Sequence, residues 1–247
     1  AATGGDAPGE GGSRARTRPF HARPGIRLDA EPKRIRVLAG KARRRSGFSE
    51  VDLELRNGAG PGKDILHSRA RAILAEDYSR PPAYRLPAAL SCNHYPRSAA
   101  EIYEKILFHG SHLQGLRWVQ CCTVDGMVAD VTGAPAPVQW IVAPLRNSWL
   151  CDPLVLDSAF QMASLWCYEQ HGCVSLPSHA ASYRQFRAAF PAEGVKVALE
   201  VREATPKKMR GDFTFLDAES QVIARLVGYE AVMDPLLNRA FKPDKKP

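Results

Sequence analysis

Two polar side chains interrupt an apolar stretch in the second half of the chain and are the first candidates for chemistry. In DPLVLDSAFQ, Asp157 and Gln161 stand four residues apart, so on a helix they share one face, one turn apart. Burial on an apolar helix raises the pKa of a carboxyl group. We therefore expect Asp157 to be held away from water, to keep its proton near neutral pH and to act as a general acid. Gln161 would orient that carboxyl or bind a substrate oxygen. The alternatives are a buried aspartate that is merely satisfied by a neighbouring backbone group, and a helix that faces solvent more than the apolar pattern indicates.

A long helix must position these two residues. Residues 152–170 are apolar on nearly every side, with Pro153 in the first turn and Gly172 just past the end, and these are start and stop signals of a helix. A helix that is hydrophobic all round is a buried helix.

Strands are predicted on both sides of this helix, because apolar residues recur at every second position. Ser98 and Glu101 form a capping-box pattern at the start of SAAEIYEKILF, which predicts a short amphipathic helix. The fold class is therefore α+β, with a curved antiparallel sheet wrapped around one long buried helix. The predicted strands are residues 26–28, 34–38, 51–55 and 65–74 in a first group, and 116–125, 127–132, 139–143, 195–203, 212–216 and 222–233 in a second.

Four segments resemble, in the same order, parts of the dehydratase domains of polyketide and polyunsaturated fatty-acid synthases. DPLVLDSAFQ is similar to their second-hotdog signature: a proline, a short apolar run, Asp, three residues, then Gln or His. ILFHGSHLQGL resembles their aromatic-Gly-Pro-x-Phe segment, with His109 at the aromatic position, Gly110 matched, Ser111 replacing Pro and Leu113 replacing Phe. SLPSHAASYRQF and LVGYEAVM resemble the segments that follow the catalytic helix.

The resemblance implies a double hotdog fold whose first hotdog is incomplete in this chain. Residues 98–236 would form the second hotdog, which carries the Asp-xxx-Gln helix. Residues 21–97 would form a partial first hotdog, because they hold strands but no long apolar helix. Residues 1–20 are interpreted as a flexible linker and residues 237–247 as a C-terminal tail.

The resemblance also implies an activity, the removal of water from a β-hydroxyacyl chain carried on the phosphopantetheine of an acyl carrier protein. This is the reaction of a 3-hydroxyacyl-[acyl-carrier-protein] dehydratase, a hydro-lyase of polyketide and fatty-acid biosynthesis. Asp157 would be the catalytic acid and Gln161 its helical companion. The expected partners are the carrier protein and neighbouring domains of a cytoplasmic multienzyme, and we allow for a homodimer. The residues expected to bind substrate are His109, Gly110, Leu113 and Leu156.

The chain departs from the family pattern at the catalytic base, a histidine in an HxxxGxxxxP motif before the first hotdog's helix. The only match in spacing starts at His21, has Ala30 where proline is expected, and precedes a segment that reads as a turn and strand. Either the first half of the domain lies outside this chain, or the module has lost its base, and two hypotheses therefore stay open. The chain is an active dehydratase module, or it is a catalytically inactive, dehydratase-like module with a structural, docking or chain-shielding role.

Composition and motifs exclude several other classes. No apolar run approaches the roughly 20 residues that a membrane-spanning helix needs. The glycine-rich segments lack the features of a phosphate loop, and no histidines or cysteines have metal-ligand spacing, so no cofactor or metal is implied. The net charge of +8 fits an acidic carrier protein better than nucleic acid, because no nucleic-acid motif accompanies it. The six cysteines include no CxxC pair and are expected to be reduced.

Overall fold

A computed structural model describes residues 26, 32–58, 64–92 and 94–240. They fall into two compact units that divide between Glu76 and Asp77. This division lies earlier in the chain than the boundary at residue 98 expected from the sequence. The reason is that the segment before residue 98 packs on the second unit, where Leu90 is buried against its sheet.

The first unit contains one antiparallel sheet. Strand β3 is central; β1 and β2 pair successively along one side of it and β4 pairs along the other. The strands predicted at 34–38, 51–55 and 65–74 are confirmed, β2 was not predicted, and the strand predicted at 26–28 lies largely outside the described residues. No helix occurs in the described part of this unit. The strands are β1 (Ile35–Ala39), β2 (Arg43–Arg45), β3 (Phe48–Asn57) and β4 (Leu66–Ala75).

The second unit is a seven-stranded antiparallel sheet packed around a long helix. The strand order is β5-β6-β9-β10-β11, and β7 and β8 pair with different stretches of β11. Its elements are α1 (Ala99–Lys105), β5 (Leu116–Thr123), β6 (Gly126–Val131), α2 (Pro153–His171), β7 (Ser175–His179), β8 (Ser182–Gln185), β9 (Val195–Thr205), β10 (Lys208–Leu216), β11 (Val222–Met233) and α3 (Leu237–Ala240).

The hydrophobic core lies between α2 and the inner face of this sheet. Val155, Met162 and Trp166 of α2 are buried in one cluster with Leu199 of β9 and Phe213 of β10. Burying side chains of this size contributes about 1.5–3 kcal/mol each. The predicted arrangement, a curved antiparallel sheet around a buried helix, is confirmed.

Both ends of α2 are set by local chemistry. The carboxylate of Asp152 caps the helix by accepting from the backbone N–H groups of Leu154 and Val155, each at 2.9 Å, and it also accepts from Ala134 N. At the other end Gly172 adopts a left-handed conformation, with φ 71°, which glycine reaches at little cost. The predicted helix at 152–170 therefore matches the observed one within a residue at each end.

In the second unit, two parts of the strand prediction differ from the structure. The predicted strand at 139–143 is wrong: a 3-10 helix (Pro137–Gln139) is followed by a turn in which Val142 is fully exposed. Prolines on both sides of this segment remove the backbone donors that a strand needs. Strands β7 and β8 were not predicted, because SLPSHAASYRQ has no clear apolar alternation.

A disulfide corrects the prediction that all six cysteines are reduced. Cys92, in the segment that covers the outer face of the sheet, is bonded to Cys121 of β5. The sequence pattern could not reveal this pair, because the two residues are 29 positions apart and belong to no recognisable motif. The free cysteines are Cys122, Cys151, Cys167 and Cys173.

Neither a membrane span nor a metal cluster is found in the parts of the chain that the structure describes. None of the helices there is both long and apolar enough to cross a bilayer. No group of three or more His, Cys, Asp or Glu side chains in those ranges could hold a metal ion.

Candidate active site

Asp157 and Gln161 lie on the same face of α2, as predicted, with different degrees of burial. Gln161 is almost completely buried, at 1% exposure, whereas the side chain of Asp157 is 32% exposed. Asp157 is therefore less enclosed than the sequence suggested. Its carboxylate faces the segment between α1 and β5, where His109 lies.

The amide of Gln161 is locked in one orientation by its partners. Leu116 N–H donates to the hydroxyl of Tyr103 at 2.8 Å. Because that hydroxyl already accepts one hydrogen bond, it donates its own to Gln161 Oε1, 2.6 Å away. Burial raises the pKa of Tyr103 well above its usual value, so the hydroxyl stays a donor. The Gln161 amide nitrogen then donates to the carbonyl of Leu113 and to Asp157 Oδ2, both at 2.6 Å.

This network assigns different roles to the two oxygens of Asp157. Oδ2 must accept a hydrogen bond, because the amide of Gln161 can present only N–H groups to it. A proton on the carboxyl group would therefore reside on Oδ1. The contacts of this carboxylate within the described residues are with side chains, so the alternative of a carboxylate satisfied by a backbone group is not what the structure shows.

His109 is the second ionisable group of the site. Its Nε2 lies 3.7 Å from Asp157 Oδ2 and its side chain is only 11% exposed. Its ring stacks on that of Phe108, with centroids 4.4 Å apart. Burial lowers the pKa of His109, while the nearby charge of Asp157 acts in the opposite direction.

The other residues predicted to bind substrate differ from one another in their contacts and exposure. Gly110 precedes a 3-10 helix (Ser111–Leu113) and its carbonyl accepts from Leu113 N. Leu113 contributes its carbonyl to Gln161, while its side chain is 39% exposed. Leu156 packs against the hydrophobic core. The structure therefore brings His109 and the backbone of Leu113 to Asp157 and Gln161, and leaves Gly110 and Leu156 beside them.

A close backbone approach holds this segment on α2. Gly115 lies against Ser158, and a Cβ atom there would overlap with Ser158 Oγ and lie 3.0 Å from Leu154 Cδ1. Its carbonyl accepts from Thr132 N at 2.9 Å. A larger residue at position 115 would have to displace the side chains of Ser158 and Leu154, so glycine favours this close approach.

Two tyrosines, one within the hydrogen-bond network and one near enough for the charge of Asp157 to act on it, were not singled out from the sequence. Tyr103 carries the hydrogen-bond network described above, and its pairing with Gln161 spans 58 residues of chain. Tyr229 of β11 is buried and its hydroxyl has no hydrogen-bond partner among the described residues. Burial is the main cause of its raised pKa, and the charge of Asp157 adds to it. No local pattern marks either residue, because each reaches the site through tertiary packing.

Two recesses are lined in part by residues between the start of α1 and the start of β5. One, of about 220 Å³, is lined by Tyr103 and His109 together with Val174, Leu237 and Asn238. The other, of about 380 Å³, is open and is lined by His112, Leu113, Gln139 and Trp140. His21, the candidate base that was considered from spacing alone, lies outside the described residues.

Comparisons with solved structures identify the fold. The dehydratase domain of RzxB from Pseudomonas fluorescens aligns with a TM-score of 0.60 and 16% identity, covering 80% of this chain and 67% of that chain. The dehydratase domain from the CurF module of curacin polyketide synthase aligns with a TM-score of 0.62 and 17% identity, covering 84% and 70%. A trans-AT polyketide synthase dehydratase domain from Brevibacillus brevis aligns with a TM-score of 0.59 and 18% identity, covering 85% and 79%.

Sequence comparison supplies the family. No curated protein sequence matches this chain. The profile of the family described as "Polyketide synthase dehydratase N-terminal domain" matches residues 87–233, which include α2, the segment before β5 and all seven strands of the larger sheet. With more than half of the chain matched and the fold shared, this chain belongs to the polyketide synthase dehydratase family.

Proposed function

We propose that this chain removes water from a β-hydroxyacyl chain carried on an acyl carrier protein, within a polyketide or polyunsaturated fatty-acid synthase. The observation that carries the proposal is the hydrogen-bonded orientation of Asp157. Its Oδ2 is occupied by the Gln161 amide, so Oδ1 is the oxygen that would give its proton to the leaving hydroxyl group. A third of the side chain remains accessible, which leaves room for a substrate to contact it.

The carrier protein is proposed as the partner on grounds of chemistry and charge. The acyl chain would reach the site on a phosphopantetheine arm, so the protein needs no cofactor of its own. The net charge of +8 favours association with an acidic partner. Neighbouring synthase domains and a homodimeric arrangement stay predictions.

The test is a direct dehydration assay with β-hydroxyacyl-carrier protein, followed by mass spectrometry of the acyl chain. We expect a loss of one water by the unmodified chain and a fall of about 10²–10⁴-fold in the rate for Asp157→Asn. Asp125→Asn, at an exposed turn between β5 and β6, is the matched control and should keep full activity. Full activity in Asp157→Asn would remove Asp157 from the mechanism.

A second candidate function, that of an inactive module which docks or shields the carrier-bound chain, is favoured by two observations. The HxxxGxxxxP motif is not found in the sequence, and the described part of the first unit holds strands but no helix. If the unmodified chain binds the acyl-carrier protein and releases no dehydrated product, this second function replaces the first.

The expected cytoplasmic location also stays a prediction, and the Cys92–Cys121 bond provides a test of it. Disulfides are rare in compartments where glutathione and thioredoxin keep thiols reduced. Mass spectrometry of alkylated, unreduced protein from its native source would report whether the bond forms there.

A further inference from the structure

The His109 ring and the Asp157 carboxylate face each other within one hotdog unit. The distance of 3.7 Å between Nε2 and Oδ2 is too long for a direct hydrogen bond. It is short enough for neighbouring atoms of one substrate to contact both groups. A dehydration needs a base and an acid at adjacent carbon atoms, so this spacing matches the reaction.

The surroundings of His109 differ from those of a structural histidine. Nδ1 is buried and has no hydrogen-bond partner among the described residues, although buried polar atoms are normally paired. Packing alone does not account for a buried nitrogen that is left without a partner. The ring is also placed between a carboxylate and a recess that it lines together with Tyr103.

The charge state of the ring suits a base. Burial lowers the pKa of His109 and outweighs the opposing charge of Asp157, so the ring is neutral at pH 7 and keeps one nitrogen lone pair available. The other ionisable groups that line the same recess, on or next to α1, are Tyr103, Glu104 and Lys105.

We propose that His109 is the catalytic base of this chain, in the role that a histidine of the HxxxGxxxxP motif has elsewhere in the family. The inference rests on the proposed dehydratase function. His109 Nε2 takes the proton from C2 of the acyl chain, and the C2–H electron pair becomes the C2=C3 double bond. The C3–O bond breaks, and the hydroxyl group leaves as water with the proton of Asp157. The proton on the imidazolium then returns to the carboxylate, which restores both groups.

The experiment follows solvent deuterium at C2 as well as dehydration. The full chain is incubated in D₂O with a β-hydroxyacyl-carrier protein, and the acyl chain is analysed by mass spectrometry. We expect His109→Gln to lower both dehydration and deuterium incorporation at C2 by roughly 100-fold or more. His179→Gln, at an exposed histidine of β7, should leave both rates unchanged.

Two further measurements keep the proposal testable if His109→Gln folds poorly. His109→Tyr keeps a large aromatic ring at this position but cannot accept the proton, and should be equally slow. NMR titration of the unmodified chain should give an apparent pKa for His109 below the ordinary value of about 6.5, and Asp157→Asn should lower it further.

The outcomes separate the inference from the function on which it rests. If the unmodified chain dehydrates its substrate, and both folded His109 variants have dehydration rates within about threefold of its rate, His109 is not the base. The dehydratase function then stands. If the unmodified chain shows no dehydration, both the function and the base assignment are overturned. If His109→Gln dehydrates slowly but exchanges C2 at the normal rate, His109 only positions Asp157.

Discussion

Tyr103→Phe removes the hydroxyl that connects α1 to α2 without changing the ring that fills the space. The hydroxyl accepts from Leu116 N–H and donates to Gln161 Oε1, and both partner residues are almost fully buried. Leaving a buried polar group unpaired costs about 1–3 kcal/mol. With two such groups we expect a loss of about 3 kcal/mol in the free energy of unfolding.

For a unit of this size, 1 kcal/mol corresponds to about 2–4 °C in the melting temperature. Tyr103→Phe should therefore lower Tm by about 6–12 °C, measured by differential scanning calorimetry. The matched control is Tyr95→Phe, which removes a hydroxyl bonded to Glu169 nearer the other end of α2. Glu169 keeps its contact with Arg97, so the control should lose only about 1 kcal/mol.

The same pair of variants tests the link between this network and activity. Without the Tyr103 hydroxyl the Gln161 amide is held on one side only, and Asp157 loses part of its orientation. We expect dehydration to fall in Tyr103→Phe and to stay near normal in Tyr95→Phe. Equal stabilities and equal activities of the two variants would refute the network as the element that orients Asp157.

The remaining predictions concern the elements that position the site. Gly115→Ala should destabilise the protein by about 1–3 kcal/mol because the added methyl group overlaps with Ser158. Gly110→Ala is its control, since no atom lies within 4 Å of a Cβ there, and equal melting temperatures would contradict the close approach. Asp152→Ala should cost about 1–2 kcal/mol through loss of the helix cap, and Asp152→Asn much less. Urea unfolding measures this difference, and identical midpoints would argue against the capping role.

Local signals in the sequence were sufficient to predict the central helix and most strands. Pro153 and Gly172 mark the ends of α2 because their backbone preferences are intrinsic, and the predicted strand at 222–233 coincides with β11. The incorrect strand at 139–143 shows the limit of apolar alternation. Trp140 packs near Trp149, whose indole nitrogen donates to the carbonyl of Pro135, so contacts within this proline-rich loop override the pattern.

Only the part of the site that lies on a single helix could be predicted from the sequence. Asp157 and Gln161 share a helical face, and that relation follows from spacing alone. The contacts of Gln161 with Tyr103 and Leu113 bridge 58 and 48 residues, and they exist only once α1 and α2 are packed together. The partial exposure of Asp157 was missed for the same reason, since the apolar run around it does not reveal which side of the helix is left uncovered.

The bond between Cys92 and Cys121 closes residues 92–121 into a covalent loop, and this loop supplies part of the candidate site. Tyr103, His109 and Leu113 all lie inside that loop, while α2, with Asp157 and Gln161, lies outside it. Closing a loop of 29 residues reduces the conformational freedom of the unfolded segment by an amount worth about 3–4 kcal/mol. Reduction of this bond would remove that restraint from the segment that carries Tyr103, His109 and Leu113, so dehydration rates should be compared with and without dithiothreitol.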